Sequence, residues 1–368
     1  MMKKVIKKLL AALLAVAMVC AMAIPAFAYN TEENLNGTHG YSAFQIFKGV
    51  ISKDNMTLSN VEWGRNIPHY EDFLAQLKED PTLKIPFQDA DNLQDVLAVI
   101  SQWSESDNNS IAFARCVCNY VYSDGDSTPV LQGGHTNGFK LEEAGYYLIV
   151  DTSSFSSDAN NDSYHAYNSF LLKVNQANYH VQITPKVVKP TVEKKVYDND
   201  DNSTSGDNNG WGSSADHAIN EEFKFRLIAK LPASEGRAYD YYKKYTVCFN
   251  DTLSEGITFD KLDTVEITNG DGGASQVIDA ANYTRNPNVS QSFKLSIDNV
   301  KTCAAAAGLN LNEGATITVT YTAHLNEKAY VNIAGGASNT ENKNRVYLEY
   351  SNNPRIDTSL DHTPESEV

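Results

Sequence analysis

The stretch Lys186-Val187-Val188-Lys189-Pro190-Thr191-Val192-Glu193-Lys194-Lys195-Val196-Tyr197 lies almost midway along the chain of 368 residues. From Thr191 it alternates as a strand does, with Val192, Lys194 and Val196 on one face and Glu193, Lys195 and Tyr197 on the other. With the valine face inward, Lys194 enters the core, and a buried ammonium requires a carboxylate partner or chemistry that removes its charge. The strand by itself equally allows the opposite face inward, with Lys194 in solvent.

Two later stretches carry the same parity. In Val247-Cys-Phe-Asn-Asp251-Thr-Leu the alternation of Val247, Phe249 and Asp251 puts a carboxylate at the end of an apolar face. In Asn344-Arg-Val-Tyr-Leu-Glu-Tyr350 the face Asn344, Val346, Leu348, Tyr350 begins with a carboxamide. Three strands thus offer a lysine, an aspartate and an asparagine to one core. Desolvation lowers a lysine pKa and raises an aspartate pKa, so a neutral amine and a protonated carboxyl become accessible there. Neutral Lys194 can attack the side-chain carbonyl of Asn344 while Asp251 polarises it and shuttles protons. Ammonia leaves and a Lys-Asn isopeptide bond remains. The plainer alternative is a buried salt bridge with an asparagine hydrogen-bonded beside it.

Residues 191–368 resemble the middle, isopeptide-forming domain of Gram-positive sortase-assembled major (backbone) pilins. The stretches that carry the resemblance are Pro-Thr-Val-Glu-Lys-Lys-Val (190–196), Phe-Asn-Asp-Thr-Leu-Ser-Glu-Gly-Ile-Thr-Phe (249–259), Ile-Thr-Val-Thr-Tyr-Thr-Ala-His-Leu-Asn (317–326) and Asn-Arg-Val-Tyr-Leu-Glu-Tyr-Ser-Asn-Asn-Pro (344–354), with Thr-Pro-Glu-Ser-Glu-Val at the end. Residues 38–190 are similar to the N-terminal domain of that family through Tyr-Ser-Ala-Phe-Gln-Ile-Phe-Lys-Gly (41–49), Leu-Ser-Asn-Val-Glu-Trp-Gly (58–64) and Ala-Gly-Tyr-Tyr-Leu-Ile-Val-Asp (144–151). The resemblance implies that Lys194 and Asn344 are crosslinked and that Asp251 is the catalytic acid. It also implies an inter-subunit lysine at the end of the first domain, which sortase joins to the cleaved C-terminus of the next subunit. Lys186 matches it by position and by the preceding Pro185, although Thr184 stands where tyrosine is usual and Val187 where asparagine is usual. Lys189 is a rival, and an ordinary linker lysine is the alternative to both. Some family members crosslink the first domain too. The candidates there are Lys48, with Glu143 or Asp151 as acid and Asn168 as acceptor, against the reading of a surface lysine and two turn residues.

Residues 1–28 carry four lysines, an apolar run from Leu9 to Pro25 and an Ala26-Phe27-Ala28 cleavage pattern, which together predict a secretory signal peptide. No later stretch approaches the length of a membrane span. Removing the leader leaves 26 basic against 46 acidic residues, a net charge of about −20. Such a surface argues against nucleic-acid or anionic-membrane binding. Two domains are expected after the leader, 29–188 and 189–368. Of five cysteines, Cys20 falls in the leader; Cys116, Cys118, Cys248 and Cys303 are too sparse for a disulfide scaffold and lack zinc-site spacing. Cys248 and Cys303 are expected to be small buried hydrophobes rather than a pair. The Asp198, Asp200, Asn202 spacing starts like a calcium loop, but the glycine and closing acid do not arrive in register, so a surface hairpin is expected and no metal is assigned.

Helical spacing is predicted over 70–77, 92–103 and 110–121, with Asp89 or Asp91 as the cap of the second. His135, among glycines, reads as a turn residue. Elsewhere the density of short strands and turns predicts a mainly β chain. The fold expected is tandem immunoglobulin-like (collagen-adhesin-like) β-sandwich domains, the first with a helical insertion. The function this implies is a structural shaft subunit of a covalent pilus, secreted and attached to the cell wall. Its partners would be sortase, neighbouring pilin subunits and host surface ligands, with no cofactor and no enzymatic turnover. The sequence ends at Val368, where family members continue into a third β domain and a sorting signal, so a fragment or truncated product is expected. The rival readings are a non-polymerised adhesin that binds host glycan or matrix protein, and an enzyme such as a glycosidase, for which no paired carboxylates stand out.

Overall fold

The structure is a computed structural model. It describes residues 40–51, 58–103, 107–123, 127–135, 139–152, 169–174, 179–181, 188–198, 210–234, 237–270, 272–286, 292–330 and 342–368. The leader at 1–28, Lys186, Asn168, and all but Asp198 of the acidic run through 209 lie outside those residues. The chain is mainly β and forms two compact units, the change occurring between Val187 and Val188.

In the first unit, β1 (Gly40–Ile51) is central. It pairs antiparallel with β2 (Leu58–Trp63), β3 (Leu131–His135) and β5 (Gly145–Asp151), and β5 pairs with β6 (Ser169–Val174). A two-stranded ribbon of β4 (Phe139–Leu141) and β7 (Tyr179–Val181) packs Phe139 and Leu141 on Tyr41, Ala43, Tyr147 and Ile149. Four helices follow β2: α1 (Tyr70–Glu79), α2 (Lys84–Phe87), α3 (Leu93–Ile100) and α4 (Asn108–Ser123). Their aromatic residues meet the sheet through Trp63 against Phe47, Tyr70 and Phe73. With ribbon and helices both covering the sheet, every residue of β5 is buried, so simple inside-outside alternation is lost. A bulge between Gln45 and Phe47 turns the Phe47 ring to Trp63 and Tyr146. Gly64 lies hard against this bend, where a Cβ would stand 2.2 Å from the Gln45 carbonyl oxygen.

Two expectations are corrected here. The cap of α3 is Asn92, whose side chain accepts from the Asp95 backbone N–H, rather than Asp89 or Asp91. His135 is the last residue of a strand, opposite Gly40, because its glycine neighbours permit close pairing with β1.

The second unit is a sandwich of two antiparallel sheets. One has the order β13–β12–β16–β10–β8–β9, built from β8 (Thr191–Tyr197), β9 (Trp211–Gly212), β10 (Glu222–Leu231), β12 (Ile257–Asn269), β13 (Gln276–Val277) and β16 (Ala315–Leu325). The other has the order β14–β15–β11–β17–β18, from β11 (Val247–Leu253), β14 (Thr284–Arg285), β15 (Ser292–Ile297), β17 (Asn344–Ser351) and β18 (Leu360–His362); β19 (Ser366–Glu367) also pairs with β17. Strand β10 shows why the sheets stack. Phe223, Phe225, Leu227, Ala229 and Leu231 are buried while the residues between them are not. Small helices α5 (Ala238–Tyr241) and α6 (Val300–Ala306) contribute Tyr239, Val300, Cys303 and Ala304 to the same core. The four cysteines among the described residues are buried thiols rather than disulfides. No described helix is long and apolar enough to cross a membrane.

Candidate functional site

The parity of β8 is settled by burial: Lys194 and Val196 are buried, and Lys194 points between the sheets at 3% exposure. Opposite it, β11 and β17 run side by side with Asp251 facing Val346 and Leu253 facing Asn344 in register. Asp251 and Asn344 therefore fall on the same inward face of neighbouring strands, at 1% and 0% exposure. The three residues lie on strands of both sheets and converge because each occupies the inward position of its own alternation.

The Lys194 Nζ hydrogen-bonds to Asp251 Oδ1. It also donates to the Tyr321 hydroxyl at 3.3 Å, and that hydroxyl accepts from Asn344 Nδ2 at 2.5 Å. Tyr321, on β16, is the residue the sequence reading missed. Its position in the Ile317, Val319, Tyr321 alternation marks it as inward, but an inward tyrosine ordinarily reads as core.

Phe225, Phe259 and Phe293 surround Tyr321, with ring centroids 5.2, 5.4 and 5.0 Å away. The lysine ammonium position also lies 5.3 Å from the Phe225 ring centre and 5.6 Å from that of Tyr321. This aromatic wall excludes water and sets the electrostatics. Desolvation pushes the Lys194 pKa down to about 8, against the opposing pull of the Asp251 charge. The same desolvation raises the Asp251 carboxyl, against Lys194 and Tyr321, which favour its ionised form. Burial likewise raises the Tyr321 phenol well above its ordinary range, with the Asp251 charge adding to the effect.

Two oxygens in this cluster, Asp251 Oδ2 and Asn344 Oδ1, have no hydrogen-bond partner among the described residues. Buried acceptors are rarely left so. A carboxylate cannot donate to an amide oxygen, but a protonated carboxyl can.

The other candidates are placed differently. Lys48 is exposed near the end of β1 and pairs with Glu62 of β2 at 2.9 Å. Glu143 is exposed and accepts from the Gln45 side-chain amide at 3.2 Å. Asp151 is buried at the end of β5, opposite Tyr41. Lys189 is half-buried two residues before β8. Among the described residues no group of His, Cys, Asp and Glu is arranged to hold a metal ion.

No protein-family model matches the chain, and no curated protein matches it. Among solved structures the chain is similar to the full-length major pilin SpaD of Corynebacterium diphtheriae, at 21% identity and a TM-score of 0.37, over 67% of this chain and 50% of that one. It is similar to the T6 backbone pilin of Streptococcus pyogenes at 14% identity and a TM-score of 0.41, over 93% of this chain and 64% of that one. It is similar also to the pilus backbone protein RrgB of Streptococcus pneumoniae at 23% identity and a TM-score of 0.29, over 47% of this chain and 56% of that one. The chain spans between half and two thirds of the length of these structures.

Proposed function

We propose that the chain is a structural shaft subunit of a covalently polymerised cell-surface pilus, and that its second unit ties itself with an isopeptide bond between Lys194 and Asn344. The observation that carries this reading is the enclosed Lys194–Asp251–Asn344 cluster with its two unpartnered oxygens. As a permanent ion pair the arrangement is poor, because it buries two charges and leaves two acceptors unmet. As a reactant arrangement it is sound. Moving one proton from Lys194 to Asp251 leaves both groups neutral in an apolar box. The amine then has its lone pair, and the carboxyl has a proton to give to Asn344 Oδ1.

The reaction forms a bond from Lys194 Nζ to Asn344 Cγ and breaks the Cγ–Nδ2 bond. Asp251 supplies a proton to the carbonyl oxygen as it becomes negative and accepts one from Nζ, which passes on to the leaving nitrogen; it regains its own proton as the carbonyl re-forms and ends protonated as it began. One ammonia leaves. The product is a neutral amide with a protonated carboxyl free to donate to its oxygen, so the buried charges vanish. The bond would join β8 to β17 across the two sheets and close a loop of about 150 residues. By the chain-entropy argument for crosslinks this is worth roughly 5 kcal/mol.

The polymer itself rests on the motif resemblance: Lys186, with Lys189 as rival, would be the amine that sortase joins to a neighbouring subunit. The proposed path is export by the leader at 1–28 and residence at the cell wall, with neighbouring subunits and sortase as partners. The deciding experiment is the intact mass of the purified chain beside Asp251→Ala. Loss of one ammonia in the parent and none in the variant supports the crosslink. A folded parent at full mass would falsify it and leave the adhesive-module reading. A doubled loss would extend the chemistry to the first unit.

A further inference from the structure

This inference rests on the isopeptide reading above and concerns how the leaving nitrogen acquires its proton. Asn344 Nδ2 must depart as ammonia, yet Asp251 binds Lys194 through Oδ1, and Nδ2 donates to a different group, the Tyr321 hydroxyl 2.5 Å away. The same hydroxyl lies 3.3 Å from Lys194 Nζ. It is thus in contact with both the incoming and the outgoing nitrogen. Packing does not call for it, since Phe225, Phe259 and Phe293 make the rest of the wall with plain rings.

We infer that Tyr321 is a catalytic residue of the crosslinking reaction, whose hydroxyl protonates Asn344 Nδ2 as it leaves and is itself reprotonated by Asp251. In sequence, Nζ bonds to Cγ while the Asp251 proton passes to Oδ1. The carboxylate so formed takes one proton from Nζ. As the Cγ–Nδ2 bond breaks, the Tyr321 proton passes to Nδ2 and ammonia is complete. Asp251 returns a proton to the phenolate, and the Oδ1 proton returns to Asp251 as the carbonyl re-forms. The net transfer is one proton from Nζ to the leaving nitrogen; no oxidant or reductant takes part, and tyrosine and aspartate are regenerated. The low-dielectric box makes a free tyrosinate costly, so the transfer is concerted with bond breaking.

The experiment isolates the full chain unfolded and at its unreacted mass, dilutes it from denaturant and follows ammonia loss by intact mass, comparing the parent with Tyr321→Phe and with a ring-fluorinated tyrosine placed at position 321 alone. Phenylalanine keeps the ring and removes the proton donor. Loss of a general acid predicts slowing on the order of 100-fold in Tyr321→Phe, and the more acidic fluorinated phenol is expected to change the rate at fixed pH. A folded Tyr321→Phe that reacts at the parent rate overturns the inference. Should Tyr321→Phe not fold, the fluorinated chain decides, and an unchanged rate there overturns it. A parent that loses no ammonia defeats the isopeptide reading itself, which separates the two failures.

Discussion

At the scale of residues, Lys194 and Asp251 titrate as a pair, and their pH dependence is that of the pair. The reactive form, neutral amine with protonated carboxyl, holds the same single proton as the ion pair, so the two forms exchange without any change in bound protons. The reactive population therefore falls when that last proton leaves, as the pH rises past about 8, the depressed value of Lys194. In chain isolated unfolded and unreacted, the rate of ammonia loss on folding is expected to be level through neutral pH and to decline about tenfold per unit above that point, measured by timed acid quenching and mass analysis. A rate that climbed steadily to pH 10 would mean that the carboxyl acts only in its ionised form. The buried cluster of Lys194, Asp251 and Asn344 was legible because each polar side chain interrupts an apolar alternation, and a polar group at an inward position demands an explanation. Tyr321 was not legible on the same rule, since its ring satisfies the alternation and only its oxygen meets Lys194 and Asn344. In the first unit the candidates Lys48, Glu143 and Asp151 do not share one parity, and Asn168 lies outside the described residues. Lys48 stands at an exposed strand end, where Glu62 already answers its charge.

At the scale of elements, short-range chemistry decided which boundaries could be read. Asn92 caps α3 through its side-chain oxygen to the Asp95 N–H at 3.1 Å, while its own amide reaches the Asp95 carboxylate at 2.8 Å. Asn92→Ala is expected to cost about 1 kcal/mol of first-unit stability, seen as a shifted denaturant midpoint with an unchanged slope. The apolar helical spacing gave α3 and α4 to within a few residues, but Asp89 and Asp91 offered themselves as caps where Asn92 takes the first turn. Strand β12 was harder to read. Its apolar alternation is plain at Val265 and Ile267, yet the strand runs for 13 residues because two register shifts against β16 absorb the polar stretch around Lys261 and Asp263. The Thr322 hydroxyl donates to Asp263 at 2.7 Å and anchors that irregular part. The strands β9, β13, β14, β18 and β19 are too short to show a period and exist through their partners.

At the scale of the whole molecule, a covalent tie in one unit predicts separable unfolding. The double variant Lys194→Met with Asp251→Asn removes the amine and the carboxyl together, so it removes the tie without leaving either buried charge unpartnered. Calorimetry of the parent and this variant is expected to show the second-unit transition falling by several degrees, while the first-unit transition stays in place. A shift of both together would mean that the units unfold as one. The two-layer architecture was legible from alternation and turn density, whereas the short strands that finish each sheet were not. Those short strands carry a consequence for solubility. Among the described residues, β9 and β13 flank one sheet with two residues each. The other has the two-residue β14 on one side, with the three-residue β18 and two-residue β19 lying end to end along β17. Long open edges invite strand addition from another copy, and β13 covers only Glu266 and Ile267 of β12, so what stands along the rest of that edge is the irregular stretch with two register shifts and the exposed Asp260 and Lys261. Bulges and charges on that strand, rather than a lack of free peptide groups, are what oppose the growth of one sheet into the next when copies are crowded together.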